Sequence, residues 1–339
     1  METSTSKNIL VTGAGGFLGR YIVKALLKKG HQVVGLGRTK HQDLIDQGVR
    51  WVQADIRDLE KTRLALKNID TVFHCASKVA MWGEWDEFES INVQGTQNLI
   101  TACLENNVKK FIYTSTPSVV FGKESIDGGD EKLPYPTQSL SLYGKSKAIA
   151  EKNVLDIDQS KLLTCAIRPH LIFGPGDDHL VPRLVQAAKD NKLKIIGNGE
   201  NLVDVIAVEN AAEAHILAFE NISPSSPICG QAYFVAQDKP VKLWDFTNHL
   251  LKIHGTKPVT KTISFKLAYF VGWLCETVAK FIGYKKDKLP MTRFVAMQLS
   301  KSHWFHHNKA KNHFAYKPLI TTEQALKNYQ DHLEAGNRC

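Results

Sequence analysis

The 339-residue sequence is short of several features that mark whole classes of protein, and each shortage excludes something. It has six cysteines, Cys75, Cys103, Cys165, Cys229, Cys275 and Cys339, far apart and mostly beside apolar residues. No two stand at metal-ligand spacing, so neither a zinc module nor a disulfide framework is expected, and the thiols read as buried groups of a reducing compartment. Charge of neither sign is massed: Lys+Arg 43 against Asp+Glu 34 leaves +9. The basic residues are scattered apart from Lys28-Lys29, Lys109-Lys110 and the run Lys285, Lys286, Lys288, which argues against a nucleic-acid partner. There is no internal repeat and no low-complexity tract. Met1 to Lys7 is polar and runs straight into an apolar strand at Ile9, leaving no room for a secretory leader and making the cytoplasm the expected location.

What is present is an ordinary globular composition, 43% hydrophobic and 23% charged, long enough for one main domain with a smaller appendage. The first two thirds alternate short apolar runs with helical patterns. Asn8 to Thr12 leads to a helical period over Phe17 to Lys29, then His31 to Leu36 is again apolar. Strands over 49–54, 71–74, 110–114 and 163–167 are expected, with helices over 59–66 and 88–105 between them. That alternation requires right-handed crossovers and so a parallel sheet covered on both faces, a doubly wound α/β fold of the Rossmann type. From about Gly174 glycine, proline and asparagine punctuate shorter elements. The expected division is a dinucleotide-binding domain over 1–175, and over 176–339 mainly a smaller C-terminal substrate lobe, with some segments returning to the Rossmann sheet.

After the first strand, Gly13-Ala14-Gly15-Gly16-Phe17-Leu18-Gly19 opens a helix. A strand turning sharply into a helix needs residues without a Cβ where backbone approaches a pyrophosphate, whose charge then rests on free N–H groups at the helix start. The second strand ends Gly35-Leu36-Gly37-Arg38, without the carboxylate that would take a ribose 2′-hydroxyl of NAD(H). Arg38 suits a 2′-phosphate instead, which favours NADP(H) and leaves NAD(H) as the alternative. Asp55 and Ile56, after the third strand, are placed to meet the adenine edge.

Tyr143 and Lys147 stand four apart, on one face if the segment is helical. A free phenol has a pKa of about 10, and bringing it near neutrality takes roughly 4 kcal/mol, which a close ammonium in a low-dielectric site supplies. The fifth strand delivers the hydroxyls of Ser115 and Thr116 to the carboxyl edge of the sheet, where Pro117 stops it. A hydroxyl beside Tyr143 would hold a substrate oxygen for protonation while a nicotinamide passes a hydride.

With these residues in view the sequence resembles the extended short-chain dehydrogenase/reductases, and among them the 3β-hydroxysteroid dehydrogenase/isomerase family, over nearly the whole chain. The matching stretches include the glycine loop, His74-Cys75-Ala76-Ser77, Asn92-Val93-x-Gly95-Thr96, Tyr113-Thr114-Ser115, Tyr143-x-x-x-Lys147, Arg168 to Asp177 and Gly197 to Val205. Two groups of members look most similar, the sterol-4α-carboxylate 3-dehydrogenases and the bacterial 2-alkyl-3-oxoalkanoate reductases of olefin synthesis. Ala80 to Gly83 and Thr116 to Phe121 lean toward the second group.

The resemblance implies Tyr143 as acid/base and Lys147 as the residue that binds the ribose and lowers the tyrosine pKa. It also implies Ala76 and Ser77 beside the cofactor, and Pro169, His170 and Ile172 on its nicotinamide side. Where the family usually has a second serine this chain has Thr116, with Ser115 as the fallback. Asn92 either supports a proton relay or bridges backbone. A homodimer through the helices after the fourth and fifth strands is expected from the same scaffold. The implied reaction interconverts a secondary alcohol and a ketone on a lipophilic substrate. The rivals are a nucleotide-sugar epimerase or dehydratase, which usually carries an arginine before the strand at Asn201 to Val205, and a non-catalytic dinucleotide sensor. An added isomerase activity stays open.

Phe265 to Ile282 is the most apolar stretch, but Lys266, Glu276 and Lys280 interrupt it, so a spanning helix is not expected. On a helical wheel Leu267, Phe270, Val271, Leu274, Val278 and Phe281 share one broad face. Either the helix packs that face on the lobe core or around a greasy pocket, or segment 265–288 makes peripheral membrane contact. His303, His306, His307 and His313 have no accompanying cysteine or carboxylate pair, so no metal is expected. His74 reads as a structural histidine.

Overall fold

Seven parallel strands form the main sheet: β1 (Asn8–Thr12), β2 (Gln32–Gly37), β3 (Arg50–Gln53), β4 (Thr71–His74), β5 (Lys110–Thr114), β6 (Leu163–Pro169) and β7 (Gln231–Val235), in the spatial order β7-β6-β5-β4-β1-β2-β3. The structure is a computed structural model that describes residues 6–284, 287 and 289–336; Lys285, Lys286, Lys288 and Cys339 lie outside the described residues. Ile9, Leu10 and Val11 are all fully buried, as they must be in a sheet with helices on both faces. The strand order reverses between β1 and β4, and ligands of open α/β sheets bind at the carboxyl ends beside such a reversal. The glycine loop opens there.

One face is covered by helices Phe17–Lys28 and Val208–Asn221, the other by Leu59–Ala65, Gly95–Glu105 and Leu142–Leu155. The single helix expected over 88–105 is three pieces. An α-turn Trp85–Phe88 passes into a π-helical stretch Glu89–Gln94, and α-geometry resumes at Gly95–Glu105. Gly95 lets the helix sit so close to the sheet that a Cβ there would lie 2.7 Å from the Ile56 side chain. The widened turn carries Asn92 inward, a common use of π-bulges.

The lobe is built on a four-stranded sheet in which His303–Phe305 lies between Leu202–Val203 and Ile126–Gly129, all parallel, with Val241–Lys242 antiparallel at the edge. The two layers exchange segments in both directions. Ile126–Gly129 leaves the first half to join the lobe, and β7 with helix Val208–Asn221 comes back to the main sheet.

Helix Phe265–Phe281 does not pack as a core helix. Its buried residues are Ala268, Gly272, Glu276 and Ala279, while Phe270 is 55% and Phe281 92% exposed. The face expected on the lobe core therefore points outward. The cause is steric: a Cβ on Gly272 would stand 2.6 Å from the Thr292 and Arg293 backbone, so no large apolar side chain fits at the closest approach, and Glu276 is accommodated beside it by pairing with Arg293.

Candidate active site

The glycine loop is tight for reasons its residues explain. Gly13 has φ +66°, and a Cβ there would lie 2.9 Å from the Ala76 backbone nitrogen. A Cβ on Gly19 would meet the Gly13 carbonyl oxygen at 2.1 Å, so the helix starts hard against the loop. Gly16 caps helix Phe17–Lys28 without any side-chain hydrogen bond, so the first N–H groups stay available to an anion. Arg20 braces this region by donating from Nε to the Gly15 carbonyl at 3.0 Å, and it pairs with Asp43.

A cavity of about 600 Å³ opens beneath the loop. Of the residues expected around a dinucleotide, Gly13, Gly15, Gly16, Arg38, Asp55, Ile56, Ala76 and Ser77 line it. Phe17, Leu18 and Gly19 do not; Leu18 is buried in the core and Gly19 serves the turn. The Arg38 guanidinium is exposed and makes no ion pair among the described residues. Asp55 is committed to Arg57, which donates to it at 3.0 and 2.7 Å and holds its carboxyl below the usual range. No free carboxylate therefore waits at the end of β2 or β3.

Trp51, His41 and Lys78 also line the cavity and were not anticipated. The Trp51 ring fills the strip that Gly35 and Gly37 leave bare on β2, where a Cβ would meet it at 2.7 and 3.1 Å. Two glycines at strand period were the available signal. Its indole N–H is buried without a partner among the described residues, an unspent donor on the cavity wall. Lys78 donates to Asp287 at 2.9 Å and to Glu87 at 2.7 Å. A pairing across so much chain left no trace in the sequence pattern. The bare glycine cradle, the uncapped helix start and the unpaired Arg38 together fit a dinucleotide phosphate.

Ser115, Thr116, Tyr143 and Lys147 do not line this cavity; hydrogen bonds connect them to it through Cys75, the residue before cavity-lining Ala76. The Thr114 hydroxyl donates to the Cys75 sulfur at 3.2 Å, and the Thr114 carbonyl accepts from Lys147 Nζ at 2.7 Å. Ser141 caps helix Leu142–Leu155 by accepting from the Gly144 N–H, which fixes the turn bearing Tyr143 and Lys147. A Cβ on Gly144 would lie 2.7 Å from the Ser118 carbonyl, so the helix packs directly on the turn carrying Thr116. Thr116 Oγ1 accepts from the Ser118 N–H and donates to Ser118 Oγ, each at 3.2 Å, and its hydroxyl stands beside the Tyr143 phenol. Ser115 Oγ is buried with no partner among the described residues.

The electrostatics differ from the sequence expectation. Burial pushes the Tyr143 phenol up to about 12, eased by the neighbouring Thr116 hydroxyl. Lys147 is not what acts on it in this arrangement. Burial brings the Lys147 ammonium down to about 7, opposed by Glu151 and the Cys75 thiol, and Nζ stands 4.0 Å from the centroid of the Tyr113 ring. A dry site disfavours both charged forms, so the tyrosine stays protonated.

Asn92 bridges backbone, accepting from the Lys78 N–H at 2.7 Å and donating to its carbonyl at 3.0 Å, and it also donates to Ser146 Oγ at 2.9 Å. His74 is satisfied by Thr12 and Thr96 hydroxyls at 2.7 and 2.9 Å, and burial holds it neutral. His170 does not line the cavity; its Nε2 lies 2.6 Å from His303 Nδ1. His303 donates in turn to the Gln298 carbonyl at 2.9 Å, which sets the tautomers of the pair. Pro169 ends β6 and Ile172 pairs with Ile206; neither lines the cavity. Among the described residues no three metal-ligating side chains gather to hold an ion.

Comparison with known proteins places this geometry. The model of the 3-beta hydroxysteroid dehydrogenase/isomerase family matches residues 10–267. A 2-alkyl-3-oxoalkanoate reductase of Shewanella oneidensis is 43% identical over 94% of this chain and 84% of its own. A sterol-4-alpha-carboxylate 3-dehydrogenase, decarboxylating, of Mus musculus is 36% identical over 96% of this chain and 91% of its own. Among solved structures, gox2253 superposes with a TM-score of 0.79 at 26% identity, covering 98% of this chain and 99% of that one.

Proposed function

The chain belongs to the 3-beta hydroxysteroid dehydrogenase/isomerase family of NAD(P)-dependent oxidoreductases, and from that premise we propose that it reduces the 3-oxo group of a long-chain 2-alkyl-3-oxo acid with NADPH. The observation that carries the reading is the Thr116 hydroxyl beside the Tyr143 phenol, one turn from Lys147, whose ammonium is anchored on Thr114, which in turn bonds Cys75, the neighbour of cavity-lining Ala76. The higher identity to a 2-alkyl-3-oxoalkanoate reductase than to a sterol dehydrogenase, 43% against 36%, supports the fatty-chain substrate.

Gly13, Gly15 and Gly16 would hold the cofactor pyrophosphate, with Ala76 and Ser77 alongside, Asp55 and Ile56 at the adenine edge and Arg38 at the 2′-phosphate. Phe17, Leu18 and Gly19 act by building the loop, and Pro169, Ile172 and the backbone of His170 border the nicotinamide side. When bound, the nicotinamide supplies the hydride for the carbonyl carbon. Tyr143 is the acid: burial keeps its phenol protonated, so it has a proton to give the carbonyl oxygen. Thr116, held by Ser118 and standing beside Tyr143, orients that oxygen, and the unspent Ser115 hydroxyl is the second donor. Lys147 is anchored on the Thr114 carbonyl and offers its remaining N–H bonds to the ribose hydroxyls.

The test compares nicotinamide absorbance in two mixtures of the purified protein: NADPH with a 2-alkyl-3-oxo acid, and NAD(P)⁺ with a 3β-hydroxysteroid. NADPH oxidation confined to the first is expected, with Tyr143→Phe slowing it about 10²- to 10⁴-fold. Turnover of the steroid alone would overturn the substrate, and an undiminished Tyr143→Phe rate would overturn the acid.

A further inference from the structure

Lys147 is 2% exposed and its ammonium carries three N–H donors, yet among the described residues its one hydrogen-bond acceptor is the Thr114 carbonyl at 2.7 Å. No neighbouring group among them stands as its counter-ion. Glu151, one turn further along the helix, accepts from Arg168 Nε at 2.9 Å and from the Tyr135 hydroxyl at 2.7 Å, so its charge is already met. Burial pushes the Cys75 thiol up to about 11, holds His74 neutral and keeps the Tyr143 phenol protonated. A buried ammonium in such company loses its hydration without gaining an anion.

What does face it is the ring of Tyr113, whose centroid lies 4.0 Å from Nζ. Tyr113 stands on β5 one residue before Thr114, so its side chain turns toward helix Leu142–Leu155 while that of Thr114 turns to the other face of the sheet, where it meets His215. Two successive residues of one strand thus give the ammonium a carbonyl and an aromatic face. The ring is fully buried in the core cluster that includes Ala150 and Val154 of the same helix, which fixes its place. Its phenol oxygen stands beside the Thr96 hydroxyl but makes no hydrogen bond among the described residues, so it is the ring and not the oxygen that is used here. A cation over an aromatic face is held by the ring quadrupole, most strongly where water is excluded.

Resting on the reading of Lys147 as the residue that binds the cofactor ribose, we propose that Tyr113 is a positioning residue: together with the Thr114 carbonyl, the face of its ring seats the Lys147 ammonium and keeps it charged. A neutral amine would keep a bond to Thr114 but would lose its attraction to the ring, so the seat and the charge stand or fall together.

The test changes the charge on the ring face and leaves its shape. Full-length protein is prepared with Tyr113→Phe and with Tyr113 replaced by mono-, di- and trifluorinated phenylalanine, each fluorine drawing negative charge from the face. The titration of Lys147 is followed by NMR of protein labelled with carbon-13 at lysine Cε, without cofactor or substrate, its signal identified by its loss in Lys147→Met. Tyr113→Phe should titrate within about 0.3 pH unit of the parent, and the midpoint should fall in steps to about one unit lower with three fluorines. Since Lys147 stands near 7, that fall would cut its charged fraction at pH 7 about fivefold. NADPH affinity at pH 7, read by quenching of tryptophan fluorescence, should weaken by up to the same factor and recover at pH 5. Merely lost packing would weaken binding at both pH values and without order in fluorine number. A midpoint indifferent to fluorination, or one that Tyr113→Phe moves as far as the trifluorinated ring does, would overturn the seat, and an ordered fall with affinity unchanged at pH 7 would overturn its part in cofactor binding. Parent-like NADPH affinity in Lys147→Met would instead overturn the ribose reading on which the role depends. No substrate is reduced in these measurements, so they stand apart from the choice of substrate.

Discussion

Helices Phe17–Lys28 and Phe265–Phe281 are both amphipathic, and they are packed in opposite senses. The first buries Leu18, Ile22, Val23 and Leu26 against the sheet. The second buries Ala268, Gly272, Glu276 and Ala279 and leaves its phenylalanines and leucines outside. Periodicity reports that a helix has two faces; which face is covered depends on how closely the neighbouring backbone approaches. Beside the first helix the sheet leaves room for branched side chains, whereas beside the second the Thr292–Arg293 backbone leaves room only for a hydrogen at Gly272.

The largest effect should come from the first helix. Ile22→Ala should cost about 2–5 kcal/mol of unfolding free energy in urea titrations, because the cavity it leaves lies in fully packed core. A loss below about 1 kcal/mol would dissolve the contrast. In the second helix the sensitive site should be the smallest residue: Gly272→Val should cost about 1–3 kcal/mol by overpacking, with a matching fall in melting temperature.

Lys147 sharpens the comparison from the catalytic side, since there burial is imposed on a charge. Its pKa falls from 10.5 to about 7, so the folded state binds the proton more weakly than the unfolded chain. The resulting penalty is full below pH 7, shrinks as pH rises from about 7 toward 10.5, and is absent above that. Lys147→Met should therefore abolish turnover while raising stability at neutral pH by about 1–3 kcal/mol, and the gain should fade in alkaline titration. A destabilised variant at neutral pH would contradict this.

The junction between the layers should respond more mildly and in acid. His170 and His303 are both held neutral by burial, with pKa values below 6.5, so their contribution is intact above that pH and is lost as pH falls through it. His303→Phe should flatten the acid limb of the stability profile by about 1 kcal/mol per pH unit or less. Smallest of all, Leu274→Ser on the outer face of the second helix should change stability by no more than about 0.5 kcal/mol. A loss as large as that of Ile22→Ala would mean that the face is covered.

Much of the first layer was legible because its determinants are local. Strand and helix periods, the glycines of the loop, and the four-residue step from Tyr143 to Lys147 all act within a few residues, and Thr116 reaches Tyr143 because Gly144 lets a helix touch the turn. What escaped depends on contacts between distant segments. The ion pair from Lys78 to Asp287, the His170–His303 couple and the insertion of His303–Phe305 beside Ile126–Gly129 carry no periodic signature. The tyrosine environment shows the same dependence on distant contacts. Spacing placed an ammonium one turn away, but solvent exclusion and the Thr114 carbonyl, neither visible in a four-residue step, decide what that ammonium does.

The strand His303–Phe305 has a consequence for how the protein is made. Among the described residues Ile126–Gly129 pairs only with a segment that leaves the ribosome some 177 residues later, as the register of Trp304 against Asp127 shows. Until then the nascent chain carries an open parallel edge, the kind that invites pairing with other chains. The main sheet likewise waits for β7, whose partner β6 is finished long before it. A chain ended between residues 235 and 303 should thus retain the glycine loop and Tyr143 yet aggregate, and a ribosome that stalls in that interval should present the cell with a chaperone burden.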